Sequence, residues 1–181
     1  PGNAFFGTTR TGGASGLGSV YRVEILGTSV NVTTLHEFSP PDGYPDGGVI
    51  VASDGMLYGT FGDGSTTTNA VYAVAQDGTG YRVVRALQNG TRPTGTLIEG
   101  SDGVLYGTTE RGGTFNAGTV FRVGRDGLGF AQIAQLEGYP VAGVTEAPGP
   151  GGNPYLYGVE QSGSTTTAQF GTVFRLRPDG T

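Results

Sequence analysis

The sequence predicts an all-β protein, a β-propeller-like array of four-stranded antiparallel blades with four repeats, forming a partial or small propeller. Three observations predict it: two short motifs recur four times in order, Asp-Gly pairs separate short apolar segments, and no segment keeps a helical period. Glycine supplies 36 of the 181 residues, but 35% of the residues are hydrophobic, which is too many for a disordered chain. The composition therefore indicates a folded protein rich in turns.

Internal repetition is the strongest signal in the sequence. The first motif is Phe-Phe-Gly or Leu-Tyr-Gly, and its glycines stand 48 to 52 residues apart, at Gly7, Gly59, Gly107 and Gly158. The second motif is a β-branched and aromatic segment about a dozen residues later, at residues 19–23, 70–74, 119–123 and 172–176. Four ordered copies of two linked motifs indicate tandem copies of one structural unit.

Each complete repeat contains four strand candidates, which we name a, b, c and d. In the third copy they lie at residues 95–99, 104–109, 118–123 and 130–136. A single repeat domain is expected to span residues 1–181, with blades at approximately 1–38, 48–88, 95–137 and 141–181. The first and last blades are incomplete, so we count 14 strands and expect a fragment of a longer array.

Glycine recurs at two kinds of position. The motif glycine lies inside strand b, where glycine lowers stability, so we expect a close backbone approach or a bulge there. All eight aspartates are followed by glycine, and five of these pairs fall between strands a and b or between c and d, at Asp54, Asp77, Asp102, Asp126 and Asp179. Asp-Gly favours tight turns, and one carboxylate per loop is too few for a calcium site, so we predict turns.

The antiparallel order places the b–c and d–a loops at one end of the sheets and the short a–b and c–d turns at the other. The long loops are residues 10–18, 62–69, 110–117 and 160–171 between b and c, and 39–48, 88–95 and 137–143 between d and a. Long loops on a rigid scaffold usually carry binding residues. The candidate ligand-binding residues are therefore Arg10, Tyr44, Arg92, Glu110, Arg111, Phe115, Tyr139, Glu160 and Phe170.

The residue inventory excludes several function classes. There is no cysteine, no lysine and one histidine, His36, which excludes thiolate chemistry, lysine-based phosphate binding and a multi-histidine metal site. The net charge of −5 has the wrong sign for nucleic-acid binding, and no apolar run is long enough to span a membrane. We predict no cofactor, no metal, no nucleic-acid partner and no membrane span, and we interpret His36 as a structural residue of an outer strand.

Carbohydrate breakdown is the enzymatic alternative. A glycosidase needs two carboxylates roughly 5–10 Å apart. Glu110 and Glu160 follow the motif glycines of the third and fourth copies, where we expect equivalent places, and Arg111 stands beside the first. Equivalent positions of neighbouring blades usually lie farther apart than a glycosidase requires, so we assign no catalytic residue and favour solvated loop charges.

The third copy resembles a known repeat. Its segment 105–109, its Gly112-Gly113 pair and its segment 118–121 are similar to the GloVer tandem repeat of secreted bacterial proteins. Residues 7–21 and 156–174 match with changes, the second copy departs most, and the resemblance spans essentially the whole chain. It implies an extracellular location, secreted or at the cell surface, and it carries over no catalytic residue.

Three functions stay open from the sequence. The favoured one is a non-enzymatic, secreted or cell-surface module that binds a glycan or a protein through the long b–c and d–a loops. The second is a carbohydrate-active enzyme, a glycoside hydrolase or lyase that uses loop carboxylates, and the third is a purely structural spacer. We also expect that the terminal blades allow edge-strand association with another copy or with missing repeats.

Overall fold

The computed structural model describes residues 4–62, 69–87, 91–161 and 171–181. The described chain is β-structured apart from one 3-10 turn at Pro150–Gly152. Its strands form four antiparallel sheets, which we number 1 to 4 in chain order. No helix within these ranges is long and apolar enough to cross a membrane.

The strands of each sheet follow the chain in order. Sheet 1 contains β1 (Ala4–Thr9), β2 (Ser19–Leu26) and β3 (Ser29–Glu37). Sheet 2 contains β4 (Ile50–Val51), β5 (Leu57–Phe61), β6 (Ala70–Val74) and β7 (Arg82–Ala86). Sheet 3 contains β8 (Pro93–Glu99), β9 (Leu105–Thr109), β10 (Thr119–Val123) and β11 (Ala131–Gln135). Sheet 4 contains β12 (Thr145–Pro148), β13 (Pro154–Glu160) and β14 (Thr172–Leu176).

The described strands fall into groups of three, four, four and three, which confirms the all-β class and the predicted strand groups. Sheet 1 therefore holds strands b, c and d of its repeat, and sheet 4 holds a, b and c. Strand ends differ slightly from the prediction, because β8 begins at Pro93 and β4 covers only Ile50–Val51. The propeller arrangement of the sheets stays a prediction.

In every sheet the motif glycine of strand b pairs directly with an aromatic residue of strand c. The pairs are Gly7–Tyr21, Gly59–Tyr72, Gly107–Phe121 and Gly158–Phe174. The ring lies over the glycine, because a Cβ at Gly107 would lie 2.6 Å from Cζ of Phe121 and 2.7 Å from Cδ2 of Leu97. A close approach is therefore present, but its partner is a ring rather than the backbone that we expected.

The predicted irregularity at the motif glycine is present in sheet 3, where the register between β8 and β9 shifts between Thr94 and Ile98, opposite Gly107. Further register shifts lie in the neighbouring strand pair. In sheets 1 to 3 the register between strands c and d shifts just before the aromatic residue, at Val20/Tyr21, Val71/Tyr72 and Val120/Phe121. A bulge adds local right-handed twist. Each glycine–aromatic pair in these sheets therefore stands beside a point of added twist.

Consecutive sheets pack face to face through three apolar clusters, one for each pair of neighbours. We call the face that contacts the following sheet the forward face, and the opposite one the backward face. The forward face of sheet 3 presents Tyr106 and Val120 to sheet 4. Its backward face presents Leu105 and Phe121 to sheet 2. Sheets 2 and 3 are covered on both faces, and every residue of β5, β6 and β9 is buried.

The aspartate and the glycine of the turn pairs have separate roles. The aspartate Oδ1 accepts a hydrogen bond from the backbone N–H two residues later at all five predicted turns, at Asp54, Asp77, Asp102, Asp126 and Asp179. The turn prediction is confirmed. In the c–d turns the glycine also packs on strand d of the preceding sheet, since a Cβ at Gly78 would lie 2.7 Å from the carbonyl oxygen of Leu35. Gly180 stands in the same way on Ile133, so these turns join neighbouring sheets as well as neighbouring strands.

A serine–glutamate contact joins the a–b turns to the following sheet. Glu99 of β8 accepts hydrogen bonds from the backbone N–H and the hydroxyl of Ser53, at 2.6 and 2.9 Å. Glu146 of β12 accepts the same two bonds from Ser101, at 2.9 and 3.3 Å. Sheets 2 and 3, and likewise sheets 3 and 4, are therefore connected at both sets of turns.

Two forward-face tyrosines donate hydrogen bonds to turn aspartates. Tyr58 Oη lies 2.8 Å from Asp54 Oδ2, and Tyr106 Oη lies 2.7 Å from Asp102 Oδ2. Burial, followed by the hydrogen bond to Asp54, raises the pKa of Tyr58 to about 12. Burial also raises the pKa of Tyr106. The folded protein therefore favours the neutral phenol at both positions.

Replacing the motif glycine tests the packing of the ring. Gly107→Ala should lower the free energy of unfolding by about 2–3 kcal/mol, because its methyl group would overlap the Phe121 ring. Gly107→Ala combined with Phe121→Leu should cost less than the two single changes added together, since leucine leaves room for the methyl group. Urea unfolding of the four proteins measures this coupling, and a coupling energy near zero would contradict the packing described here.

Gly129→Ala is the matched control for this cycle. Gly129 has a φ of 65° and no atom lies within 4 Å of a Cβ added there. The control should therefore cost only backbone strain, about 1–2 kcal/mol, and should show no coupling to Phe121→Leu.

Alkaline pH should destabilise the fold through Tyr58. The pKa of tyrosine is about 10 in an unfolded chain, and that of Tyr58 is about 12 in the folded protein. The folded chain holds the proton more tightly, so the stabilisation is complete below pH ~10 and is lost as the pH rises through the folded pKa. Urea unfolding across this range should show the decline, and Tyr58→Phe should make it less steep, with the remainder coming from groups such as Tyr106 whose pKa is also raised. Identical pH dependence in both proteins would disprove the assignment.

Candidate functional site

The long loops lie at one end of the sheets, because successive strands of every sheet are antiparallel neighbours. The described loops include residues 10–18 and 110–118 between strands b and c, and residues 38–49 and 136–144 between strands d and a. We call this end of the molecule the loop end. It carries every candidate site residue that the structure describes.

Three consecutive ion pairs cross the loop end. Arg10 Nε lies 2.6 Å from Asp46 Oδ1, and Arg92 Nε lies 2.8 Å from Asp46 Oδ2. Arg92 Nη1 in turn lies 2.8 Å from Glu110 Oε2. The Asp46 side chain is only 10% exposed, so its two ion pairs are less screened by water than most surface pairs. We call these four residues the ion-pair chain, and it connects the loops of sheets 1, 2 and 3.

The ion-pair chain contains candidate residues from the sequence and one residue that the sequence analysis missed. Arg10, Arg92 and Glu110 are brought together as part of it, and Tyr44 lies under Arg10, with Cζ 5.4 Å from the ring centroid. The sequence analysis did not single out Asp46, because the pair Asp46-Gly47 looks like another Asp-Gly hairpin turn. Its position in a long d–a loop, outside the five equivalent turns, is the signal that separates it from the others.

Asp46 also stabilises the charged form of Arg92. Its hydrogen bond raises the pKa of Arg92, and the nearby Glu110 carboxylate acts in the same direction. Arg92 therefore stays charged at any pH at which the protein is folded. The positive centre of the chain is permanent.

The d–a loops beneath the ion-pair chain pack backbone to backbone. A Cβ at Gly95 would lie 2.6 Å from the carbonyl carbon of Ala142, and one at Gly47 would lie 2.8 Å from that of Gly95. The Thr108 hydroxyl lies within hydrogen-bond distance of the carbonyl oxygens of Thr94 and Ala142, at 2.9 and 3.0 Å. Three successive loops are therefore fixed against one another.

A groove of about 580 Å³ opens at the loop end between the loops of sheets 3 and 4. Its volume falls in the range of small-molecule binding sites. We call it the Tyr139 groove, and its lining residues are Thr94, Glu110, Arg111, Asn116, Tyr139, Pro140, Val141 and Gln161. Three candidate residues from the sequence, Glu110, Arg111 and Tyr139, are thereby brought into one site.

The Tyr139 groove combines an exposed aromatic ring with polar side chains. Tyr139 is 46% exposed, and its carbonyl oxygen accepts a hydrogen bond from the Gln161 N–H at 2.8 Å. The Arg111 guanidinium forms no hydrogen bond or ion pair with the residues that the structure describes. Asn116 Oδ1 accepts from the Gly112 N–H at 3.1 Å, which orients the amide. As far as the structure describes its surroundings, the groove therefore contains one unpaired cation and one apolar ring face.

Glu160 occupies a different place from Glu110, and the expectation that the two are equivalent is wrong. The strand register pairs Glu160 with Thr172, so its equivalent in sheet 3 is Thr109, and the equivalent of Glu110 is Gln161. Glu160 is 9% exposed and accepts a hydrogen bond from the Thr172 hydroxyl at 3.0 Å. It lines a separate cavity between sheets 3 and 4. The two carboxylates of the enzymatic alternative therefore line different cavities.

Phe115 and Phe170 are the remaining aromatic candidates. Phe115 is 64% exposed in the b–c loop of sheet 3 but does not line the groove. Phe170 lies outside the described residues. Binding roles for both residues stay predictions.

His36 belongs to an aromatic cluster between sheets 1 and 2. Its ring stacks on Tyr81 with 3.5 Å between centroids, and Tyr81 Oη donates to Asp42 Oδ2 at 3.0 Å. Burial lowers the pKa of His36, so the neutral ring is favoured. This packing agrees with a structural role. In the described part of the chain, no group of three His, Cys, Asp or Glu side chains could hold a metal ion.

Neutralising Asp46 should destabilise the loop end. Asp46→Asn should lower the free energy of unfolding by about 1–2 kcal/mol, because two guanidinium groups lose their shared carboxylate. Glu137→Gln, at an exposed position outside the ion-pair chain, is the matched control and should change little. Urea unfolding at low and high salt measures both, and the Asp46→Asn effect should shrink in salt. Equal stability of the two variants would show that the ion-pair chain contributes nothing.

The repeat now identifies the family. The chain matches the model of the Gloeobacter/Verrucomicrobia repeat over residues 1–152. The matched segment includes the ion-pair chain and all lining residues of the Tyr139 groove except Gln161. No curated protein matches the sequence. The resemblance seen in the sequence is confirmed, and the chain belongs to the Gloeobacter/Verrucomicrobia repeat family.

Proposed function

We propose that this protein is a non-enzymatic glycan-binding repeat module that acts outside the cell, secreted or at the cell surface. The glycan lies in the Tyr139 groove. The observation that carries the proposal is the exposed Tyr139 ring beside the Arg111 guanidinium, which has no partner among the described residues, within one groove. The extracellular location rests on the resemblance to repeats of secreted bacterial proteins.

The groove lining has the chemistry that a sugar requires. A sugar ring presents C–H groups on its faces and hydroxyl groups at its edge. An exposed tyrosine ring offers an apolar surface for the C–H face while its own hydroxyl stays in water. The amides of Asn116 and Gln161 both donate and accept hydrogen bonds, as hydroxyl groups do, and Arg111 supplies a planar set of N–H donors.

The scaffold keeps this lining in place before a ligand arrives. Glu110 is fixed by its ion pair with Arg92, and the Tyr139 carbonyl is fixed by the Gln161 N–H. Groups that are already ordered lose little conformational entropy on binding. A groove built in this way supports useful affinity for a small polar ligand.

We propose that the four sheets are blades arranged around an axis, with strand a of each blade nearest to it. Two features support this arrangement. Each forward face packs on the next backward face in the same way along the chain. The d–a loops, which lead into strand a, approach one another closely at Gly47, Gly95 and Gly143. In a propeller, such loops surround the central channel.

The groove favours a glycan over a protein or an enzymatic substrate. A stable protein–protein interface buries about 800 Å² on each partner around an apolar centre, whereas the groove is narrow and mostly polar. Its one carboxylate, Glu110, is already paired with Arg92, which leaves it poorly suited to general acid or base catalysis.

Binding to a glycan array tests the proposal. The unmodified chain should bind a defined set of glycans, and Tyr139→Ala and Arg111→Ala should each weaken that binding by about tenfold or more. Arg177→Ala is the matched control, because Arg177 lies in the c–d turn region at the opposite end of the sheets. It should bind as the unmodified chain does.

Two outcomes would reject this function. An array on which the folded chain binds no glycan would favour the spacer or a protein ligand. Binding that survives both groove changes would place the ligand site elsewhere on the molecule.

A further inference from the structure

We propose that the forward face of sheet 4 binds the backward face of sheet 1 in a second copy of this chain, so that copies associate head to tail. This inference does not depend on glycan binding, because it uses the sheet faces and not the loop end. It rests on the comparison of the two outer faces with the three interfaces inside the chain.

Among the described sheets, none packs on the forward face of sheet 4. Val173 of β14 is 76% exposed. Its equivalents on the covered forward faces are fully buried, at Val20, Val71 and Val120. Val159 beside it is 38% exposed, and a cavity of about 250 Å³ is lined here almost entirely by apolar atoms of residues such as Tyr157, Val159 and Val173.

The backward face of sheet 1 is likewise uncovered by any described sheet. Phe5 of β1 is 54% exposed, whereas its equivalents on the covered backward faces, Leu57, Leu105 and Leu156, are fully buried. Tyr21 and Val23 lie beside Phe5 on the same face and are half-buried. Val32, paired with Val23, is 62% exposed.

These two outer faces carry the two halves of one interface. Inside the chain, a forward-face valine of strand c belongs to the same cluster as a backward-face leucine of strand b, as Val71 and Leu105 do. Val20 and Leu57 repeat this arrangement, and so do Val120 and Leu156. Val173 and Phe5 are the unpaired members of the same series. A second copy therefore supplies the partner of each outer face.

The association is heterologous, because the two faces that meet are different. A two-fold dimer would place two forward faces or two backward faces together, and no interface inside the chain is of that kind. Heterologous contacts grow into rings or open filaments, depending on the rotation between copies. Association should therefore continue beyond the dimer and depend on concentration.

The expected contact between two copies buries less area than the contacts between sheets inside the chain. Among the described strands, sheet 4 has a, b and c and sheet 1 has b, c and d, so strands b and c of both sheets make most of it. Because less apolar area is buried, the association should be weaker than the internal packing and reversible.

Sedimentation velocity of the unmodified chain over a wide range of concentration is the first test. The mean mass should rise with concentration. Val173→Asp should remain monomeric, because burying an unpaired carboxylate in the contact is strongly unfavourable. Leu128→Asp is the matched control, since Leu128 is 70% exposed in the c–d turn of sheet 3 and lies on neither outer face. It should associate as the unmodified chain does.

Disulfide trapping then distinguishes the two modes of contact. The chain has no cysteine, so any disulfide that forms must join the cysteines that were introduced. A mixture of Phe5→Cys and Val173→Cys should form a mixed disulfide dimer under mild oxidation, whereas each variant alone should form little.

Three results would overturn the proposal. An unmodified chain that stays monomeric at every concentration would show that the outer faces do not bind each other. Association that persists fully in Val173→Asp would point to pairing through strand edges. Self-dimers of either cysteine variant that form as readily as the mixed dimer would reject the head-to-tail contact.

Discussion

A glycine opposite an aromatic ring is the constraint on which the rest of this structure depends. Because Gly107 has no Cβ, the Phe121 ring lies across strand b instead of standing away from it, and the same holds in the other three sheets. The backward face is therefore smooth enough for the preceding sheet to pack against it. That packing brings successive d–a loops into backbone contact, and the loops in turn hold the ion-pair chain and one wall of the groove.

The all-β class and the strands of each sheet were predictable because their signals are local, whereas the site was predictable only in part. Strand alternation, Asp-Gly turns and the motif glycine act within a few residues of one another. The partners of Asp46 lie 36 and 46 residues away, at Arg10 and Arg92, so their pairing follows from sheet packing and not from any local pattern. For Glu160 the error was local. The sequence analysis aligned Glu160 with Glu110, but Glu160 lies one position closer to its motif glycine, and a shift of one position along a strand moves a side chain to the other face.

The loop end contains charges that are paired with one another and a charge that is left unpaired among the described residues. The four residues of the ion-pair chain are paired with one another. Their charges therefore stabilise the loops and are less available to a ligand. Arg111, next in sequence to Glu110, has no such partner in the described residues and faces the groove. Adjacent residues of one loop thus have different surroundings, and only the contacts in three dimensions tell them apart.

The glycines of the c–d turns lie against the backbone of strand d in the preceding sheet. Gly78 rests on the carbonyl oxygen of Leu35, and Gly180 rests on that of Ile133. The side chains of the same strands pack separately on the following sheet, because Leu35, Val84 and Ile133 each lie against one of the three apolar clusters. A junction between repeats therefore has one part that any sequence of strand d would keep and one part that depends on its side chains, so one repeat can replace another only where those side chains still fit the next sheet.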